Sequence, residues 1–73
     1  MATLPEIYSK DLVKVLLKQG FVITRQKGSH LRLKHADGRN TTIALHNKSL
    51  PVGTLSAILR QIKLSKEDLK KLL

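Results

Sequence analysis

The stretch Lys27–His35 reads K-G-S-H-L-R-L-K-H and sets an imidazole among cations. As a strand it puts Leu31 and Leu33 on one face and His30, Arg32 and Lys34 on the other. The first face suits a core, and the second carries groups that can handle a proton and a phosphate. A histidine ordinarily titrates at about pH 6.5, so at neutral pH its uncharged ring can take the proton of an RNA 2′-hydroxyl. Arg32 and Lys34 can stabilise the extra negative charge of the phosphorane that forms. That route needs no metal. The plain alternative is a solvent-facing histidine with no chemical role, and spacing alone does not separate the two.

The other reactive groups offer less. His35 falls at a turn mouth and faces inward by parity, as a hairpin-end residue. His46 shares the open face and is a candidate second proton carrier. Ser29 has no acid placed to orient a histidine, so no nucleophilic triad is expected. The acids are Glu6, Asp11, Asp37, Glu67 and Asp68, a scatter that excludes a paired-carboxylate hydrolase and a carboxylate-held metal nuclease. The three histidines lack metal-ligand spacing. The absence of cysteine removes disulfides, zinc fingers and thiol catalysis. No metal or other cofactor is expected.

Charge names the kind of partner. Fourteen Lys and Arg against five Asp and Glu leave a net +9 on 73 residues. A small domain this basic points to a polyanion, nucleic acid before acidic protein or membrane. Between residues 25 and 48 the cations Arg25, Lys27, Arg32, Lys34, Arg39 and Lys48 face the single acid Asp37. Only Phe21 and Tyr8 are aromatic, and Phe21 is assigned to the core, so base stacking is not the expected mode. Contacts should go to phosphate and sugar, through Lys27, Arg32, Lys34 and Arg39. No apolar run approaches the ~20 residues of a membrane span, and the N-terminus lacks a signal-peptide core. A cytoplasmic protein with a polymeric partner is expected, with neither a membrane nor a small-molecule substrate.

The elements that position these groups follow from periodicity. The length suits one domain over residues 1–73. Residues 1–8 read as a tail containing Pro5. Ser9 suits an N-cap, Leu12, Val13, Leu16 and Leu17 share a helical face, and Gly20 supplies the left-handed stop. Strands follow at about residues 21–26, 29–35 and 39–46. Pro51 suits the first turn of a second helix, whose stripe is Val52, Leu55, Ile58, Leu59 and Ile62. A last short helix begins at Ser65, three residues before Asp68, much as in a capping box, with Leu69, Leu72 and Leu73 as anchors. The fold class is α+β: α-β-β-β-α, an antiparallel three-stranded sheet with helices on one face and a C-terminal helical extra.

Turn chemistry sets the register. A two-residue Asp37-Gly38 loop would place core and solvent residues on the same face. The three-residue loop Ala36-Asp37-Gly38, with Gly38 left-handed, pairs Leu31 with Ile43 instead. By the same logic, a loop of Gln26-Lys27-Gly28 pairs Ile23 with Leu31 and Phe21 with Leu33. On the open face His30 then lies between Thr24 and Ala44.

At this point the residues resemble a known family, the HicA-like toxins of bacterial and archaeal toxin–antitoxin pairs. "GFVITRQKGSHLRLKHADGR" looks like that family's glycine-led first strand, K-G-S-H turn and D-G-R hairpin. "TLSAILRQIKLSKEDL", with Gly53 just ahead, resembles its closing helix and L-S tail. The resemblance implies a double-stranded-RNA-binding-domain-like fold and a metal-independent endoribonuclease that cleaves mRNA and so arrests translation. It implies that His30 is catalytic, that Gly28 and Ser29 complete its motif, and that a HicB-type antitoxin covers the active face. One departure is Lys63, where members often carry glycine; it bears on the angle of the last helix. The competing readings are a non-catalytic RNA-binding module on the same fold and a partner for an acidic protein.

Overall fold

The computed structural model describes residues 6–73. The elements run α1 (Ser9–Lys18), β1 (Val22–Lys27), β2 (His30–Lys34), β3 (Asn40–Ala44), α2 (Val52–Gln61) and α3 (Lys66–Leu72). The strands form one antiparallel sheet in the order β1-β2-β3. This is the expected α-β-β-β-α order with its extra helix. No helix among the described residues is long and apolar enough to cross a membrane.

The core lies on one side of the sheet. Leu31, Leu33, Thr41 and Ile43 are buried there against Leu12, Leu16, Leu55, Ile58, Leu59 and Ile62. The alternating residues His30, Arg32, Lys34 and Thr42 stay exposed. Burying each large aliphatic side chain contributes about 1.5–3 kcal/mol, so this single apolar layer carries most of the fold.

In α1 the buried set is Ser9, Leu12, Val13, Val15 and Leu16. Leu17, expected inside, is 43% exposed. It lies about 40° around the helix beyond Val13, just past the edge of the apolar arc. The helix ends as the sequence predicts, on Gly20 at φ +97°. Gly20 N–H donates to Leu17 O at 3.2 Å and Phe21 N–H to Leu16 O at 3.0 Å, a Schellman motif that satisfies two orphan carbonyls.

The helix starts differently from the expectation. Tyr8 is the N-cap, without a side-chain cap bond, and Ser9 is already helical and buried. Its hydroxyl accepts from His46 N–H at 3.1 Å and donates to His46 O at 3.4 Å, fastening α1 to the segment after β3. The residues just before it are not a loose tail either. Ile7 is 3% exposed in the core, its carbonyl accepts from Leu50 N–H at 2.8 Å, and Tyr8 bridges Ser49 antiparallel. The rest of the expected tail, residues 1–5 with Pro5, lies outside the described residues.

The β2–β3 register is the predicted one: Leu31 opposes Ile43, and Gly38 takes φ +100°. The β1–β2 register is not. Its loop is Gly28-Ser29 alone, with Lys27 opposite His30 and Gln26 opposite Leu31. Gly28 at φ +58° followed by a residue outside the left-handed region is the signature of a type II′ turn, whose twist suits a hairpin. The pairing then slips between Ile23 and Arg25, so that Thr24 is an extra, bulged residue and Ile23 opposes Leu33. The expected pairs Ile23–Leu31 and Phe21–Leu33 are therefore absent. Ile23 and Val22 stay 45% and 59% exposed on this edge strand, while Phe21 alone enters the core.

Pro51 is the N-cap of α2 rather than its first helical residue, and Val52 is left 68% exposed at the helix mouth. At the far end Lys63 itself adopts φ +55°. Leu64 N–H donates to Leu59 O at 3.0 Å and Lys63 N–H to Arg60 O at 3.3 Å, so the Schellman stop forms without glycine. Ser65 caps α3 as expected, accepting from Asp68 N–H at 3.0 Å. Leu69 and Leu72 anchor that helix, whereas Leu73 is exposed.

Candidate functional site

The uncovered face of the sheet is organised in rows across the strands. The row nearest the first turn is Lys27, His30 and Ala44; the next is Arg25, Arg32 and Thr42; the third is Val22, Lys34 and Asn40. His30 is thus flanked by Lys27 and Ala44, not by Thr24 and Ala44. The correction follows from the two-residue loop, which brings Lys27 opposite the histidine. The half that concerned Ala44 stands.

Local structure holds His30 firmly by its backbone and leaves its ring exposed. It is the first residue of β2, directly after the tight turn. Ser29 O accepts from Leu45 N–H at 2.7 Å, which pins the turn to the end of β3. Ala44 is too small to cover the ring. An imidazole so placed can exchange a proton with a bound ligand, and an ammonium across the ladder can meet negative charge beside it.

The face is cationic without compensation. Among the described residues the acid in each close contact with a basic side chain is Asp37, which pairs with Arg39 at 2.7 Å and lies 3.1 Å from His35 Nδ1. Arg25, Lys27, Arg32 and Lys34 pair with no acid. The summed field of such a face attracts a polyanion.

Arg39 does not join them. Its Nε donates to Asp37 Oδ2 at 2.7 Å and its guanidinium donates to Ile62 O at 2.7 Å. It also lies 5.1 Å from the Phe21 ring centroid. It faces the helices, where it satisfies an orphan carbonyl at the end of α2 and sets a cation against that helix terminus. Parity predicts this placement, since Arg39 precedes Asn40 on the open face. Gly28 and Ser29 form the turn, and Lys34 closes the third row.

The other two histidines are accounted for by the fold. His35 is a hairpin-end residue, as expected: its Nδ1 accepts from Asp37 N–H at 3.1 Å and its Nε2 donates to Gln19 O at 3.2 Å. Its ring meets Phe21 edge-on at 5.1 Å. Any side chain at Gly20 would crowd this ring, with a Cβ only 3.1 Å from His35 Nε2. His46 is exposed, but it lies beyond β3, its backbone tied to Ser9. It stands outside the three rows.

The sequence reading missed the alignment of Arg25 with Arg32. The signal was available in the parity of β1. Phe21, Ile23, Arg25 and Lys27 are all odd-numbered, so an unbroken strand would turn all four to one face. A strand that needs Phe21 inside and two cations outside must contain a bulge.

Comparison with known families decides the relationship. The sequence model of the family described as "HicA toxin of bacterial toxin-antitoxin" matches residues 9–64. The chain belongs to the HicA toxin family. The matched span begins with α1 and ends just past the Lys63 stop, so it takes in the sheet, both hairpins and α2. Residues 1–8 and 65–73, the latter holding α3, fall outside. Among curated proteins no sequence matches. Membership in the HicA family makes the chain a toxin of a toxin–antitoxin pair, and so implies an antitoxin partner.

Proposed function

We propose that the chain is a metal-independent endoribonuclease that cleaves mRNA, with His30 as general base and a HicB-type antitoxin as the partner that covers its basic face. The observation that carries this reading is the exposed His30 at the mouth of a two-residue turn, with Lys27 opposite it and no acid in its row. His30 takes the proton of a ribose 2′-hydroxyl, and the 2′-oxygen attacks the adjacent phosphorus. The 5′-oxygen of the next nucleotide leaves with a proton from water, and a 2′,3′-cyclic phosphate remains. Lys27 stabilises the charge on the phosphorane oxygens. Arg32 and Lys34 hold the ribose–phosphate chain along β2, and Gly28 and Ser29 keep the turn narrow enough for the RNA to reach the ring. An mRNA substrate implies an activity in the cytoplasm.

The test is the chemistry of the ends. Antitoxin-free protein is incubated with a long RNA in EDTA, beside the same RNA carrying 2′-O-methyl groups throughout. Cyclic-phosphate ends from the unmodified RNA, with the methylated RNA intact, support the reading. Cleavage of both, or of neither, contradicts it.

A further inference from the structure

Arg25 and Arg32 stand directly opposite each other on the uncovered face. Like charges in that relation destabilise a sheet. No acid relieves them, since the ion pair among the described residues is Asp37 with Arg39. The arrangement is also not a default of the strand. Arg25 and Phe21 are four residues apart, and a regular strand would put them on one face. Phe21 is 2% exposed in the core, and Arg25 is on the other side only because Thr24 is bulged.

The bulge is held in place. Thr24 Oγ1 donates to Arg32 O at 3.3 Å, so the extra residue of β1 is tied to β2 at the residue that Arg25 opposes. A β-bulge that redirects one side chain while a local hydroxyl steadies it is a built feature, and such bulges concentrate beside functional sites. Here it accepts a repulsive pair that a plain ladder would avoid. A local rule broken in this way marks a place where a ligand supplies the missing counter-charge.

We infer that Arg25 and Arg32 form a two-arginine clamp for a single RNA phosphate, the one next to the phosphate that is cut. The inference rests on the ribonuclease reading for the identity of the cut phosphate. Arg32 lies two residues from His30 on one strand, about 7 Å along it, a distance that one ribose–phosphate unit can span. Guanidinium groups suit the task, because each presents a planar fork to phosphate oxygens. The clamp fixes the RNA so that the next phosphate falls between His30 and Lys27. Arg25 is therefore a positioning residue, and the bulge at Thr24 is what places it.

The experiment measures how the affinity for a 2′-O-methylated oligoribonucleotide falls with salt, which leaves the RNA uncut and the native chain usable. Each phosphate contact on a single strand contributes about 0.7 to the slope of log affinity against log salt concentration. Arg25→Gln and Arg32→Gln together should lower that slope by roughly 0.7, the value of the one phosphate they share, while Arg25→Lys with Arg32→Lys, which keeps both charges, leaves it unchanged. Lys14→Gln removes a charge from the exposed face of α1 and should not move it. Arg25→Gln should also melt at or above the native temperature without RNA, because it relieves the opposed charges. An unchanged slope in the double Gln variant, a fall of about 1.4 that would mean two separate phosphates, or a fall of about 0.7 in Lys14→Gln overturns the clamp. If the native chain cleaves RNA and the double Gln variant keeps its slope, only the clamp fails. If the native chain binds the oligonucleotide with the predicted change but cleaves no RNA, the ribonuclease reading fails and the clamp stands as a phosphate site.

Discussion

Lys27 and His30 are cross-strand partners on the uncovered face, joined by a turn of only Gly28 and Ser29. Neither can move far from the other without opening the hairpin. If the ammonium stabilises the phosphorane, its effect belongs to the chemical step and not to binding. Lys27→Ala should slow single-turnover cleavage by about 10²-fold while the RNA remains bound. Lys27→Arg, which restores a cation, should recover part of the rate. An unchanged single-turnover rate in Lys27→Ala would remove Lys27 from the mechanism.

Arg39 is predicted to behave as a structural residue. Its guanidinium ties the β2–β3 turn to the end of α2 through Asp37 and the Ile62 carbonyl. Arg39→Ala should cost about 2 kcal/mol in denaturant unfolding, the scale of a charge-assisted hydrogen bond lost from a partly buried site. The folded variant should keep the native salt dependence of RNA binding. A lowered salt slope with native stability would return Arg39 to the RNA interface.

Lys63 offers a gain. It occupies φ +55°, a region that costs an L-residue roughly 1–2 kcal/mol and glycine almost nothing. Glycine loses part of that advantage through its freer unfolded chain. Lys63→Gly should stabilise the domain by about 1 kcal/mol, read from the denaturation midpoint. A destabilised variant would mean that the lysine side chain makes a contact worth more than the strain.

The acid limb of stability should trace to Asp37. The backbone N–H of Arg39 donates to its carboxylate, and with the Arg39 guanidinium beside it this holds the carboxyl below its ordinary value of 3.8. A carboxyl lowered in the folded state stabilises the fold above its unfolded pKa, and that contribution disappears as pH falls through the folded value. Asp37→Asn should therefore be less stable than the native chain at neutral pH and converge with it as the pH is lowered below 3.8 and through the folded value. A constant difference between the two curves across that range would contradict the assignment.

The legibility of the fold varied with the local chemistry. β3 and its loop were readable because Leu31, Leu33, Thr41 and Ile43 alternate without interruption and Gly38 fits only one loop length. β1 was not, because strict alternation breaks at Thr24, where the ladder has an extra residue. The same error set Thr24 rather than Lys27 beside His30. Ser9 was misread for a different reason: a serine before an apolar run suits a cap, but its hydroxyl is claimed by His46 thirty-seven residues away. Ile7 has no periodic context, so nothing in the sequence marked it as core. His30 itself was legible at once, as the histidine of an alternating strand with its neighbours already assigned to the core.

Cleavage depends most on the imidazole of His30, and the most direct measurement is cutting of a long RNA in EDTA by the native chain and by His30→Ala, each with its RNA affinity determined alongside. The expected result is that His30→Ala binds RNA as the native chain does and cuts none of it. Equal cleavage by both proteins would contradict it, and would leave the histidine a bystander on a basic face.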